Sequence, residues 1–268
     1  MESPQINLKE VIRKKSRLLA SIPGLISWLK RIIHQDEINQ GLRMFGHLQG
    51  TAFATAALEF LDIQVEVSIT QALQSDGRYI FASNHPLGGV DGMALIKAVT
   101  DMFPEVRFPV NDLLLSVENM QPVFMPINKH GNQDRESAKK LNEAYASLEH
   151  QILIFPAGLV SRKINGEIVD LSWQKHFITK AIEYQRDVVP VYIQGMNSSG
   201  FYRLANWRKR LRIPFNIEML YLPDEMFKQK HKTIRIVIGE PISYEIFTKN
   251  EASIWADYVK KKVYAGRI

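Results

Sequence analysis

Short apolar runs alternate with amphipathic stretches over most of the chain. Runs of apolar or alternating residues are typical of buried strands, and apolar residues three or four apart are typical of helices packed on a core. The predicted strands cover residues 63–67, 78–82, 106–110, 123–127, 151–155, 188–193 and 232–238. The predicted helices of this part cover residues 93–99, 134–148, 172–185 and 250–264. This alternation predicts an α/β fold with a mixed, mostly parallel sheet flanked by helices on both faces.

The N-terminal part is basic and amphipathic. Residues 8–33 place apolar side chains at helical spacing among lysines and arginines, and Pro23–Gly24 interrupts the pattern. Residues 36–61 continue as helix, with a break or close packing expected near the three glycines, which are costly inside a helix. We predict a helical membrane-association segment over 1–62 and one α/β domain over 63–268. The alternative is a terminal helix packed on its own domain with solvated lysines.

Composition excludes several kinds of chemistry. The 268-residue chain contains no cysteine, so disulfides, thiolate nucleophiles and cysteine zinc sites are excluded. It contains seven histidines, and no two are three or four residues apart, so a helical metal-binding pair has no support. We therefore expect no metal and no cofactor.

A net charge of +6 favours an acidic partner: anionic lipid, nucleic acid or an acidic carrier protein. No apolar run approaches the ~20 residues of a spanning helix, and the polar N-terminus lacks a signal-peptide core. We expect a cytoplasmic protein, peripheral on the inner face of the membrane. The basic cluster around Trp207 is the best nucleic-acid candidate, but it lacks a known binding module. A membrane or carrier-protein patch suits it better, and no nucleic acid is expected.

The stretch from Ser83 to Gly92 carries the most distinctive chemistry. It follows a predicted strand, precedes a predicted helix and holds His85 and Asp91 in a glycine-rich loop. A histidine steered by a nearby carboxylate takes a proton from a hydroxyl near neutral pH. The alternatives are a hydrogen-bonded buried histidine, and an aspartate that caps a helix beginning near Gly92.

Three predicted strands are followed by polar or turn-forming residues, and sites of open α/β sheets lie beyond the carboxyl ends of strands. These residues are Asn84–His85, Pro126–Lys129 and Phe155–Gly158, the last followed by Ser161–Arg162. With Val189–Pro190–Val191, these blocks resemble those of the glycerolipid acyltransferases, the family typified by lysophosphatidic acid acyltransferases. The resemblance covers about residues 63–240, and is closest to a bacterial branch labelled hemolysin-like or tied to acylation of aminoacyl lipids.

The resemblance implies direct acyl transfer from a thioester, acyl-ACP or acyl-CoA as co-substrate, to the hydroxyl of a lyso-lipid. His85 would act as the base and Asp91 would fix its tautomer. Backbone N–H groups around Gly88–Gly89 and the following helix would hold the developing oxyanion. The implied partners are acyl carrier protein, anionic membrane lipid and the lyso-lipid acceptor.

The residues predicted to bind substrate share the same strand ends and their basic rim: Asn84, Gly88, Gly89, Lys129, Arg135, Phe155, Pro156, Gly158, Ser161 and Arg162. For the basic ones the alternative is a solvated surface charge. The chain departs from the family pattern twice. Five residues separate His85 from Asp91, one more than usual, and Ala157 stands where the third block has Glu, which favours a different lyso-lipid from a glycerol phosphate. The alternative function is a non-catalytic, hemolysin-like lipid-binding protein on the same scaffold.

Overall fold

The computed structural model describes residues 5–16, 21–110, 114–126 and 135–267. The strands of its main sheet are β1 (Gln64–Ile69), β2 (Tyr79–Ser83), β3 (Val106–Val110), β4 (Phe124–Pro126), β5 (Gln151–Ile154), β8 (Asp187–Ile193) and β9 (Thr233–Ile238). Their order across the sheet is β1-β9-β8-β2-β5-β3-β4. Strands β8, β2, β5, β3 and β4 are parallel to one another, whereas β9 is antiparallel to β8 and parallel to β1.

Helices precede, connect and follow these strands. They are α1 (Leu8–Lys15), α2 (Leu25–Ile32), α3 (Gln35–Phe45), α4 (Gly50–Phe60), α5 (Gly89–Thr100), α6 (Arg135–Ala146), α7 (His176–Tyr184), α8 (Ser199–Arg210), α9 (Leu222–Phe227) and α10 (Ala252–Ala265). A separate antiparallel hairpin consists of β6 (Arg162–Ile164) and β7 (Glu167–Val169).

The sheet is buried on both faces. Successive side chains of a strand point to opposite sides, and β2 divides accordingly. Tyr79 and Phe81 join a core with residues of α4 and α5, whereas Ile80 and Ala82 join a second core with residues of α6, α7 and α10. The fold is therefore the predicted one, a mixed and mostly parallel sheet with helices on both faces.

Two sequence expectations about local structure were wrong or incomplete. The helix predicted over residues 172–185 begins later, at His176, and the Asp170 carboxylate before it accepts the Ser161 hydroxyl instead of capping a helix. The hairpin was not predicted. Its signal is Asn165–Gly166 at the turn, where both residues have positive φ, as a two-residue hairpin requires.

The N-terminal helices divide at the glycines. Helix α3 ends before Gly46 and α4 starts at Gly50, whereas Gly41 lies inside α3, where a Cβ would come 2.9 Å from the Phe45 ring. Phe53 and Leu58 of α4 belong to the same core as the sheet. The predicted boundary at residue 62 therefore does not separate two cores. In the part of the chain that the structure describes, no helix is both long and apolar enough to cross a bilayer.

A buried arginine, which the sequence did not single out, ties the second core together. The side chain of Arg186 is fully buried, and its guanidinium donates to carbonyls at the C-terminal end of α6 and beside it: Ala144, Tyr145, Ser147, His150 and Tyr79. Burial lowers the pKa of Arg186 to about 10. The cation satisfies carbonyls that a helix end leaves without partners, and it favours the negative end of the helix dipole.

Replacing Arg186 with methionine is expected to lower the free energy of unfolding by about 3–5 kcal/mol, because several buried carbonyls lose their donors at once. Urea unfolding followed by circular dichroism measures this loss. Arg78→Met is the matched control, since Arg78 donates to Tyr145 and Ala146 but is only partly buried. A loss at Arg186 no larger than at Arg78 would contradict this role.

Candidate active site

Two adjacent parallel strands bring the first and third blocks together. The register pairs Ala82 of β2 with Ile154 of β5, so the residues that follow these strands leave the sheet side by side. The imidazole of His85 stacks on the ring of Phe155, with 4.0 Å between centroids and 15° between planes. The structure thus places His85 at the carboxyl ends of the strands, where sequence reasoning expected the site.

His85 and Asp91 form a hydrogen-bonded pair. The distance from His85 Nδ1 to Asp91 Oδ2 is 3.0 Å; the imidazole is 17% exposed and the carboxylate is fully buried. The same Oδ2 accepts the backbone N–H groups of Leu87, at 2.7 Å, and Gly88, at 3.0 Å. The extra residue between His85 and Asp91 therefore does not prevent the carboxylate from reaching the imidazole.

The pair fixes which imidazole nitrogen is free. Burial raises the pKa of Asp91 above its ordinary value, whereas hydrogen bonds from His85, Leu87 and Gly88 act in the opposite direction. An ionised carboxylate only accepts hydrogen bonds, so Nδ1 carries a proton and Nε2 of the neutral ring carries a lone pair. Within the described part of the chain no group bonds to Nε2, so this nitrogen can accept a proton.

Asp91 is not the cap of a helix that begins near Gly92. Helix α5 begins at Gly89, and Asp91 lies inside its first turn, where its carboxylate reaches back to the N–H of Gly88. The Gly88 N–H is thereby committed to Asp91, although it was expected to face an oxyanion. The first-turn N–H of Gly89 remains the expected oxyanion donor, since a helix start leaves its first N–H groups without helical partners.

A short His–carboxylate distance does not by itself identify a base. His231 and Asp62 lie 2.7 Å apart, but both side chains are largely exposed. Both ring nitrogens of His34 are engaged, with Glu37 and with Asp224. Of these three histidines, only His85 combines a buried carboxylate partner, a stacked ring and a ring nitrogen with no described partner. That combination marks His85 as the candidate base.

Asp170 holds the backbone of His85 against the third block. Its Oδ1 accepts the His85 N–H at 3.2 Å and the Ser161 hydroxyl at 2.5 Å, and its Oδ2 accepts Trp173 Nε1 at 2.9 Å. The Ser161 N–H donates to the His85 carbonyl at 2.7 Å. The Ser161 hydroxyl, predicted to bind substrate, is fully buried in this clamp. The position of Asp170 in the sequence carries no signal for this role.

Two other predicted substrate residues also have internal partners. The side-chain amide of Asn84 donates to the Ile193 carbonyl at 2.9 Å and accepts its N–H at 2.7 Å, which joins the ends of β2 and β8. Arg162 was expected at an exposed rim, but its guanidinium is largely buried. It donates to the Val160 carbonyl and forms an ion pair with Glu218 at 3.0 Å. Substrate contact by either residue stays a prediction.

The remaining predicted residues have different positions. Pro156 is buried and its carbonyl accepts the N–H of Gln174, while Gly158 turns the chain with a φ of 64°. Arg135 is exposed at the start of α6. Lys129 lies outside the described residues.

Gly88 has a conformation that suits glycine alone. Its φ is 93°, and a Cβ at this position would lie 3.0 Å from the Leu222 side chain. Gly88→Ala is expected to cost about 1–3 kcal/mol of stability through backbone strain, and to lower activity by displacing the N–H that holds Asp91. Thermal melting tests the stability loss, with Gly89→Ala as control, because a Cβ at Gly89 meets nothing within 4 Å. Equal melting temperatures for the two variants would refute the strain.

Three comparisons with known proteins bear on this geometry. A family model described as acyltransferase matches residues 10–267. Lyso-glycine lipid O-acyltransferases of Phocaeicola vulgatus and Bacteroides thetaiotaomicron are each 45% identical over 263 residues, which is 97% of this chain and 94% and 96% of theirs. The crystal structure of the 1-acyl-sn-glycerophosphate (LPA) acyltransferase PlsC from Thermotoga maritima superposes with a TM-score of 0.50 at 19% identity. It covers 80% of this chain and 77% of that one, and shows similarity of fold.

Proposed function

The chain belongs to the acyltransferase family, and from that membership we propose that it moves a fatty acyl group from an acyl thioester to the hydroxyl of a lyso-glycine lipid. The acceptor class is supported by 45% identity, over nearly the whole chain, to two proteins named for that activity. Ala157, in place of the family's usual Glu, agrees with an acceptor other than a glycerol phosphate.

The observation that carries the chemistry is the His85–Asp91 pair. In the proposed step, Nε2 of His85 takes the proton of the acceptor hydroxyl while its oxygen attacks the thioester carbonyl. The new C–O bond forms, the C–S bond breaks, and the departing thiolate takes the proton from the imidazolium. Asp91 stabilises the imidazolium between these events. The N–H of Gly89 is the donor proposed for the oxyanion.

Acyl carrier protein is the proposed carrier of the acyl donor, with acyl-CoA as the alternative. The net charge of +6 suits an acidic carrier. We place the protein on the inner face of the cytoplasmic membrane, because both the acceptor and the product are lipids. No cofactor takes part in the proposed step.

Purified protein supplied with an acyl thioester and lyso-glycine lipid is expected to form the doubly acylated lipid, detected by mass spectrometry. Lysophosphatidic acid is the matched acceptor, and we expect turnover of it to be at least about tenfold slower, the scale on which one lost polar contact discriminates substrates. Acylation of lysophosphatidic acid alone would overturn the proposed acceptor. Vesicle binding without transfer to either acceptor would favour the non-catalytic alternative.

A further inference from the structure

The C-terminal part of α8 and the segment that links it to α9 present large apolar side chains to solvent. Trp207 is 69% exposed, Leu211 68% and Phe215 75%, and Leu220 is also exposed. The opposite side of α8 is buried. Single exposed apolar residues are ordinary, but several large ones close together along one exposed segment mark an interaction surface.

The exposed charges of residues 196–221 are all of one sign. Residues 196–221 contain five cations and one acid, Glu218. Glu218 is fully buried between Arg162 and Arg208, at 3.0 and 2.9 Å, so the segment exposes no carboxylate. The name 207–220 surface is used for a set of exposed residues: Trp207, Lys209, Arg210, Leu211, Arg212, Phe215 and Leu220.

This surface lies next to the active-site loop. Tyr221 follows it directly and contacts the ring of Trp28 on α2, with 6.3 Å between centroids. Leu222 comes next in the chain and packs against Gly88, which donates to Asp91. The 207–220 surface is therefore continuous along the chain with a residue that lies against the loop carrying His85.

We propose that the 207–220 surface docks on an anionic lipid bilayer, with its apolar side chains at the acyl boundary and its cations at the headgroups. The inference rests on the proposed function insofar as it brings a lipid acceptor to His85. Large exposed apolar side chains, combined with exposed charges that are all positive, are typical of a surface that lies in the lipid interface. An acidic carrier protein would bind the cations of this surface. It would leave the exposed large apolar side chains unexplained, whereas a bilayer binds both.

The test uses the full chain and vesicles of phosphatidylcholine with or without phosphatidylglycerol. The surface variant is the triple Trp207→Ser, Leu211→Ser, Phe215→Ser. Its control is the triple Leu148→Ser, Ile246→Ser, Ile254→Ser, which removes exposed apolar side chains from elements outside both this surface and residues 1–62. A charge variant, Lys209→Glu with Arg210→Glu, is compared with Lys139→Glu, Lys261→Glu.

Wild type and both controls should float with phosphatidylglycerol vesicles and bind phosphatidylcholine more weakly. The surface and charge variants should partition at least about tenfold less. The surface variant should lose transfer to lyso-glycine lipid held in vesicles and keep transfer to the same lipid dispersed in detergent.

Wild-type vesicle binding by the surface variant would overturn the proposal. If that variant binds vesicles but has a raised KM for acyl carrier protein, the surface belongs to the carrier instead. If neither wild type nor any variant transfers acyl groups in detergent, the proposed function fails. The docking surface still stands if vesicle binding depends on it.

Discussion

Replacing His85 with alanine is expected to lower kcat by about 10²–10⁴-fold, the scale of general-base catalysis lost with its base. The side chain is partly exposed and its contacts are the Asp91 carboxylate and the Phe155 ring, so the fold should survive its removal. The measurement is steady-state transfer to lyso-glycine lipid, with circular dichroism of each variant. We expect little change in KM, because the proton is transferred during the reaction.

The control for His85 is another histidine with the same partner type. His231→Ala removes an imidazole that lies 2.7 Å from a carboxylate but is exposed, so it should leave kcat unchanged. Near-normal turnover by His85→Ala would remove His85 from the proposed mechanism. An equal loss at His231 would show that the assay reports on protein quality rather than on the base.

Periodicity predicted the sheet because most of its strands are short apolar runs with glycine or proline near their ends. The parallel pairing of β2 with β5, in the register observed, then places His85 beside Phe155. Periodicity misplaced the start of α7, where residues typical of helix caps make tertiary contacts instead. Asp170 and Ser172 look like helix caps, yet the Asp170 carboxylate binds groups that are distant in sequence.

The candidate site was predictable to the extent that its residues are adjacent in sequence. The His85–Asp91 pair lies in one loop, and short-range chemistry pointed to it. Arg162 was expected at the rim because a sequence shows its charge but not its partner. Glu218 lies fifty-six residues away and faces it in the buried interior. Arg186 was missed for the same reason: its acceptors are backbone carbonyls, which every sequence contains.

The role of Asp91 is the second prediction with a large effect. Its pKa is raised by burial, so the folded protein holds this proton more tightly than the unfolded chain does. Ionised Asp91 therefore lowers the free energy of unfolding at pH values above its folded pKa, and this cost disappears below the unfolded pKa. Catalytic sites commonly contain buried ionisable groups of shifted pKa, and Asp91 is such a group.

Asp91→Asn is expected to lower kcat by about 10²–10⁴-fold while changing the free energy of unfolding by no more than about 1–2 kcal/mol. The amide oxygen can still accept the N–H groups of Leu87 and Gly88, but the imidazolium loses its counter-charge. Unpaired amide hydrogens cost stability, and the absence of an ionised buried group restores it, so the two effects oppose each other. Asp101→Asn is the control, because it removes an exposed carboxylate just beyond the end of α5. Full activity of Asp91→Asn, with an intact fold, would show that the carboxylate serves only to position the loop.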